Sequence, residues 1–365
     1  MSEKKRVLVA MSGGVDSSTA AFLLKEQGYA VEGVTMCLGL PDSGPNDPKT
    51  RCCGRDSISD AKTVCEHLKI PFYVLDFSKD MQDHVIMDFV RQYAKGHTPN
   101  PCVECNRFLK FGKLLKYARD NGYDYLATGH YAKISDINGQ LFLTPARDTQ
   151  KDQSYFLYCI EREHLRSILF PLADHTKEEV RQIAKKAGLP VANKTESQDI
   201  CFVSEEGYAD FVKKRVKRIE PGNIVNTQGQ VLGTHKGIIH FTIGQRSGLG
   251  VALGKPQYVV ALNADTHDVV IGDEDDLKST TLLTGSINLF TESLPDKLFA
   301  KIRYGKKLLP CRAEILPQKM ARIIFNEPQK AVTPGQSVVL FDESGALLGG
   351  GIILFVSASD RVTHE

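Results

Sequence analysis

The sequence predicts an α/β N-terminal domain built on a doubly wound parallel sheet, followed by two small β-rich domains, the last a β-barrel. Three observations carry that expectation. Apolar runs of strand length alternate with helical patterns from Val7 to Thr128, joined by short links. After Tyr208 the texture changes: a dense basic run (Lys213, Lys214, Arg215, Lys217, Arg218) leads into short strands punctuated by Gly and Asn turns. A second block of short, regularly spaced strands runs from Thr281 to Val356. Boundaries are therefore expected near residues 208 and 280, giving domains 1–208, 209–280 and 281–365.

Length and composition agree with this division. A chain of 365 residues exceeds a single typical core. Hydrophobic content of 42% and charged content of 25% are ordinary for a globular protein. A net charge of +2 does not by itself argue for a nucleic-acid partner, so local basic clusters would have to supply one. The N-terminus lacks the pattern of a signal peptide, and no apolar stretch is long enough to span a bilayer, so no membrane role and a cytoplasmic location are expected. Nine cysteines in a reducing compartment are then expected as thiols, metal ligands or catalytic groups.

In chain order, Val7 to Ser12 reads as a strand ending in a glycine turn, and Asp16 to Gly28 as a helix stopped by Gly28. Ala30 to Met36 is a Val-rich strand with Met36 at its C-terminal edge, where open α/β sheets bind ligands. Leu40 to Arg55 reads as a loop holding Cys52 and Cys53, whose roles the pattern leaves open. Asp56 to Leu68 is helical, Phe72 to Phe77 a strand, and Lys79 to Lys95 a longer helix. Gly96 to Asn106 reads as a loop broken by two prolines, Arg107 to Asp120 as a helix, and Tyr123 to Thr128 as a strand. Ala132 to Pro145 suggests a hairpin turning at Asn138-Gly139, and Lys177 to Gly188 a helix. In the β-rich part, strands are expected at 223–225, 230–232, 238–242, 258–263 and 268–271, then at 298–304, 310–316, 322–325, 337–342 and 352–356.

The first turn carries the strongest chemistry. Ser12-Gly-Gly-Val-Asp-Ser17 sits between a strand and a helix start. Glycines let backbone N–H groups approach an anion closely, and a helix N-terminus favours phosphate; hydroxyl and carboxylate side chains are expected to cap that helix. No Walker A string occurs in the chain. The string Ser-Gly-Gly-Val-Asp-Ser instead resembles the loop of ATP pyrophosphatases, which split ATP between its α and β phosphates. The competing reading is a glycine turn that binds nothing.

Among the cysteines, Cys102 and Cys105 form a C-x-x-C, and Cys201 lies about a hundred residues on in a polar turn. A structural zinc site would want a fourth ligand at recognisable spacing, and no second C-x-x-C exists. Sulfur chemistry is the alternative, through thiolate and persulfide or through an iron–sulfur cluster. Cys37, Cys65, Cys159 and Cys311 lie in apolar contexts and read as buried small hydrophobes.

Taken together, these motifs resemble the bacterial tRNA-specific 2-thiouridylases, whose first domain has an adenine nucleotide alpha hydrolase-like fold. The resemblance rests on Ala10 to Ser17, Thr98-Pro-Asn-Pro101 with Cys105-Asn106, Ala127-Thr-Gly-His-Tyr131 and Lys151-Asp-Gln-Ser-Tyr-Phe156. It extends through Ser197 to Phe202, Pro221-Gly222, Gly244 to Gly250, Arg303-Tyr304 and Val332 to Gln336. It implies adenylation of O2 of a tRNA wobble uridine by ATP, then displacement of AMP by sulfur. It further implies ATP contacts from Ala10, Met11, Ser12, Gly13, Gly14, Val15, Asp16, Ser17, Met36 and Gly129, with Mg²⁺ bridging the phosphates. By the same resemblance, Cys201 carries the persulfide and Cys105 is the nucleophile that releases its sulfur. Asn100, Pro101 and Cys102 border the target base, while His130, Lys151, Asp152, Gln153, Arg303, Tyr304 and Gln336 touch tRNA. The partners implied are tRNA and a relay of sulfur-donor proteins.

One position departs from the family. Its pattern N-P-D-x-x-C places an acid/base Asp where this chain has Cys102. The Asp role is not transferred, and Glu104 is expected on a different side of the loop. Cys102, Cys105 and Cys201 would alternatively hold a [4Fe–4S] cluster through three irons. The basic residues Lys213 to Arg218, with Lys151, Arg246, Arg303, Lys306 and Lys307, are either a solvated face or phosphate contacts. Two other functions compete: an amidating ligase of the ATP pyrophosphatase type, and a non-catalytic RNA-binding protein with zinc at Cys102 and Cys105.

Overall fold

The computed structural model describes residues 4–40, 55–195, 200–203, 207–251, 254–305 and 307–357. Cys52, Cys53, Lys306 and the Ser197–Asp199 part of the last cysteine motif lie outside the described residues. The chain forms two compact units. One comprises Met1–Ile86, Pro101–Glu205 and Gly345–Leu347; the other comprises Met87–Asn100, Glu206–Ser344 and Leu348–Glu365.

The first unit is built on a five-stranded parallel sheet. Its strands are β1 (Arg6–Ala10), β2 (Ala30–Cys37), β3 (Phe72–Asp76), β4 (Tyr125–Ala127) and, beyond a β5–β6 hairpin (Lys133–Ile137 and Gln140–Thr144), β7 (Ile168–Leu169). The order is β3-β2-β1-β4-β7, all parallel. Val7, Leu8 and Val9 of central β1 are fully buried. Each such side chain removed from water contributes roughly 1.5–3 kcal/mol, which is why an unbroken apolar run forms the middle strand. Helix α1 (Val15–Glu26) and helix α2 (Arg55–Leu68) pack on the same cluster through Leu24, Val64, Cys65 and Leu68. The connections run outward from β1 to β2 and β3, then return to β4 on the other side. The strand order therefore reverses between β1 and β4, and in open α/β sheets the ligand crevice lies at that point, beyond the strands' C-terminal ends.

The second unit holds two β-assemblies. The smaller sheet has the order β10-β11-β8-β9, from β8 (Gly222–Asn226), β9 (Val231–His235), β10 (Tyr258–Leu262) and β11 (Val269–Gly272). The larger assembly is a closed six-stranded barrel. Its strands β12 (Lys278–Leu289), β13 (Leu298–Lys301), β14 (Leu309–Leu316), β15 (Met320–Lys330), β16 (Ser337–Phe341) and β17 (Leu347–Ser357) run β12-β15-β14-β13-β16-β17, and β12 pairs with β17 to close the ring. Along β15, Ala321, Ile323 and Phe325 point inward and are at most 3% exposed, the two-residue period of a barrel wall.

Several expectations are corrected. The expected loop 96–106 is helical from Pro101: an α-helical turn (Pro101–Glu104) runs into a π-helix (Cys105–Leu114) and then Leu115–Asp120. Pro101 starts the helix instead of breaking it, since the first helical position needs no N–H donor. The single helix expected at 79–95 is Ser78–Asp80, a π-helical stretch Met81–Ile86, and Met87–Ala94. The strand expected at 238–242 is a 3₁₀ turn, Ile238–His240, entered from Gly237 at φ +140°. Ile238, Ile239 and Phe241 are nonetheless buried, and a short buried run does not reveal its own backbone geometry.

Candidate active site

Strand β1 delivers the chain to the switch point, where Met11 to Gly14 form the turn before α1. Met11 is anchored on both sides: its N–H donates to the Val34 carbonyl at 2.7 Å, and its carbonyl accepts from Thr35 Oγ1 at 2.8 Å. Gly13 has φ +68°, and a Cβ there would strike the Ser57 carbonyl. Only glycine satisfies both the turn and the approach.

Helix α1 starts at Gly14 with no side-chain cap, contrary to the expected capping by hydroxyl and carboxylate groups. The hydroxyls turn the other way. Ser17 Oγ and Ser18 Oγ donate to the Gly14 carbonyl at 3.3 and 2.8 Å, and the Ser12 N–H donates to Ser17 Oγ at 3.1 Å. The first N–H groups of α1 are thus left without a side-chain acceptor, the arrangement that receives an anion.

Strand β4 brings the second half of the site. A Cβ on Gly129 would lie 2.6 Å from the backbone nitrogen of Ser17, so this glycine sits directly against the first turn of α1. Asp16 is held by two groups. Lys177 Nζ lies 2.7 Å from both carboxylate oxygens, and the Tyr131 hydroxyl donates to Oδ1 at 2.9 Å. Lys177 is delivered by a capped helix, Lys177–Lys186, whose Thr176 and Glu179 form a reciprocal capping box. Lys194 Nζ donates to the Gly13 carbonyl at 2.9 Å and pairs with Asp60.

His130, next to Gly129, has a defined tautomer. Lys110 Nζ lies 3.3 Å from its Nε2, and Thr128 Oγ1 lies 2.6 Å from its Nδ1. An ammonium only donates, so Nε2 accepts and the Nδ1–H donates to Thr128. Burial, and then the Lys110 charge, hold the imidazole well below its ordinary 6.5, so it is neutral at pH 7. Phe111 and Phe170 enclose the ring with centroids at 5.8 and 6.1 Å.

Cys102 and Cys105 lie three residues apart on one helical stretch, Cys102 exposed and Cys105 half-buried. That spacing puts them on a common face. Glu104 is paired with Arg107 at 3.6 Å. Arg107 Nε and Nη2 are buried without a hydrogen-bond partner among the described residues. Cys201 is half-buried. By contrast, burial pushes the Cys65, Cys159 and Cys311 thiols up to about 12, which keeps them protonated and inert as expected of packing residues. Cys37 is half-buried, less enclosed than expected.

The family models divide the chain in three. A tRNA methyl transferase HUP domain matches residues 5–205, a tRNA methyl transferase PRC-barrel domain residues 209–273, and an aminomethyltransferase beta-barrel domain residues 279–353. The chain is 52% identical over 351 residues to tRNA-specific 2-thiouridylase MnmA 1 of Syntrophus aciditrophicus, covering 96% of this chain and 93% of that protein. The chain belongs to the tRNA-specific 2-thiouridylase family. Two further 2-thiouridylases are similar over nearly their whole length. The one from Moorella thermoacetica is 48% identical over 95% of this chain and 98% of its own, and the one from Clostridium beijerinckii 45% identical over 96% and 99%.

Of the positions the resemblance implies for ATP, Ala10 to Ser17 extend from the end of β1, and Gly129 abuts Ser17. Met36 is half-buried near the C-terminal end of β2. The positions implied for tRNA differ in setting. Asp152 is only 7% exposed; its carboxylate accepts from the Ala146 and Ser154 N–H groups and the Ser154 hydroxyl, so it shapes its own loop. Gln153 accepts from the Tyr131 N–H through Oε1 at 2.9 Å, and Lys151 is half-buried. In the second unit, Asn100 is half-buried, and Gln336 Nε2 donates to the Thr98 carbonyl at 2.8 Å. Arg303 donates to the Ala331 carbonyl and Thr333 Oγ1, while Tyr304 is 45% exposed. Lys177, Lys194 and Lys110 are the participants missed by sequence reasoning, and Tyr131 lies in a quoted motif without its role at Asp16 being foreseen. Lys110 and Lys177 on helical patterns look like solvated faces, and Lys194 lies beyond the helix in irregular chain; only the fold turns them inward.

Proposed function

We propose that this chain is an ATP-dependent tRNA-uridine 2-sulfurtransferase acting on the wobble uridine, with modules dividing near residues 208 and 280. The observation that carries the reading is the uncapped N-terminus of α1, closed on one side by Gly13 and on the other by Gly129, in a chain of the 2-thiouridylase family. A methyl donor of the sulfonium type has no phosphate chain, so methyl transfer would leave this anion-receiving turn without a role.

In the first step, uridine O2 attacks the α-phosphorus of ATP and pyrophosphate leaves. The turn and the first N–H groups of α1 receive the phosphates. Asp16 is the hard oxygen donor at the turn that would hold Mg²⁺, and Lys177 and Tyr131 orient its carboxylate. Bound there, Mg²⁺ supplies counter-charge to the phosphates.

In the second step, the Cys105 thiolate attacks Sγ of a Cys201 persulfide. The S–S bond of the persulfide breaks, hydrogen sulfide is released, and a Cys105–Cys201 disulfide forms. Sulfide adds at C2 and AMP leaves. The two thiols are oxidised as the sulfane sulfur is reduced, so a thiol reductant restores the enzyme and a sulfur-donor relay reloads it.

A second reading is favoured by Cys102, which is exposed and shares a helical face with Cys105. Cys102, Cys105 and Cys201 would then hold a [4Fe–4S] cluster, which supplies a sulfide-binding iron when present. Anaerobic purification with iron and sulfide analysis, then assay of Cys201→Ser and Cys105→Ser, tests the choice. Metal-free protein that thiolates tRNA from preloaded persulfide, and loses this in both variants, supports the first reading. Stoichiometric iron and sulfide supports the second. Thiolation that survives in Cys201→Ser overturns both. No helix among the described residues is long and apolar enough to cross a membrane, which fits work on tRNA in the cytoplasm.

A further inference from the structure

The small sheet of the second unit carries a cavity of about 400 Å³ that the adenylation and sulfur-transfer steps do not use. Its walls include Arg246, Gly248, Gly250, Lys255, Pro256 and Gln257. Gly248 and Gly250 in its wall, and Gly244 and Gly254 beside them in sequence, have φ between +70° and +87°, the left-handed backbone that glycine adopts most readily.

Three features point to an anion. First, among the described residues no backbone N–H from Arg246 to Val251 donates to another protein group. Second, Arg246 is exposed and, among the described residues, has no carboxylate within ion-pair distance, whereas Lys255 is already paired with Asp273 at 2.9 Å. Third, Gln257 also donates to Asp273, at 2.6 Å, so that carboxylate already has two partners of its own. Lys255 holds the Asp273 carboxyl below its usual range, so this pairing persists at neutral pH. The core beneath is ordinary: Leu249 is buried with Val259, Val269 and Ile271, which fixes the loop from below. The same unit bears the basic run Lys213, Lys214, Arg215, Lys217 and Arg218.

We propose that this glycine-lined cavity seats a backbone phosphate of the RNA substrate, with Arg246 as the charged contact and the 246–251 amides as neutral donors. The inference rests on the tRNA substrate assigned above. It gives the small sheet a binding function of its own, sequence-independent because a phosphate carries no base identity.

Binding of a tRNA transcript to the full-length protein, measured over 50 to 300 mM salt, tests it. Removing one phosphate contact lowers the salt slope by about 0.7–0.9. Arg246→Gln is expected to bind several-fold more weakly at low salt, with a slope shallower by about that amount, and Arg246→Lys to stay near wild type. At saturating tRNA the thiolation rate of Arg246→Gln is expected to match wild type, with only KM raised. An Arg246→Gln isotherm and slope equal to wild type overturn the inference while the proposed function stands. Loss of a phosphate-dependent thermal shift in Arg246→Gln, with tRNA binding unchanged, overturns it in favour of a free-anion site. Wild-type protein that binds no tRNA at any salt overturns both.

Discussion

Lys177 Nζ sits 2.7 Å from each carboxylate oxygen of Asp16, although 161 residues separate them. Lys177 is only 12% exposed in its side chain and Asp16 29%, so the pair is shielded from much of the solvent. A partner removed from such a pair leaves the other charge exposed to a lowered dielectric. Lys177→Met is expected to raise the KM for ATP by about tenfold or more, because Asp16 loses its orientation. Lys177→Arg should recover part of it. ATP–pyrophosphate exchange measures this, and an unchanged KM in Lys177→Met would remove Lys177 from the account.

Gly129 offers a sharper steric test. A methyl group at this position would lie 2.6 Å from the Ser17 nitrogen and crowd the N-terminus of α1. Gly129→Ala is expected to weaken ATP binding by about tenfold or more while the melting temperature moves by only a few degrees. Calorimetric titration with ATP, alongside thermal unfolding, separates the two effects. Normal affinity in a folded variant would mean that phosphates do not lie at this turn.

His130 predicts a pH dependence of stability. Burial, with the Lys110 charge, lowers its folded-state value, so only the unfolded chain takes up this proton just below about pH 6.5. Its contribution is therefore full above that pH and declines as pH falls through the window down to the lowered folded value. His97 and His235 are shifted in the same direction and provide a shared background. Between pH 7.5 and 5.5, His130→Gln should lose less melting temperature than wild type, by about 2 °C or more. Equal losses would contradict a neutral buried imidazole.

Gln336 ties the barrel to the segment before the C-x-x-C helix. Its Nε2 donates to the Thr98 carbonyl, the Thr98 N–H donates to the Pro334 carbonyl at 2.8 Å, and Gly335 packs on Thr98. Gln336→Ala removes one donor and should cost about 1 kcal/mol of stability. Faster proteolytic cleavage near residues 96–100 would accompany it, and cleavage at the wild-type rate would argue against the tether.

The parallel sheet is legible in the sequence because β1 is a continuous apolar run ending in glycines; the barrel is legible in part, since five of its strands fall on expected segments while β12 (Lys278–Leu289) matches none of them and β15 and β17 run well beyond theirs. The turn at Ser12 to Ser17 is legible for the same local reason. Convergence is not. Lys177, Lys194 and Tyr131 reach the turn only after the chain has crossed the sheet; nothing in the local sequence marks the two lysines, and the motif ending in Tyr131 does not reveal its bond to Asp16. Pro101 misleads because proline both breaks helices and begins them, and the outcome depends on the residues C-terminal to it. The start of α1 misleads because Ser17 and Ser18 can bond a carbonyl as readily as an amide, and here Gly14 takes both.

The most direct measurement is the stoichiometry of one reaction. Purified protein, tRNA with a wobble uridine, ATP and a persulfide donor are incubated, and AMP, pyrophosphate and 2-thiouridine are counted. Equal amounts of all three are predicted. Release of ADP and phosphate, or 2-thiouridine formed without AMP, would contradict the account.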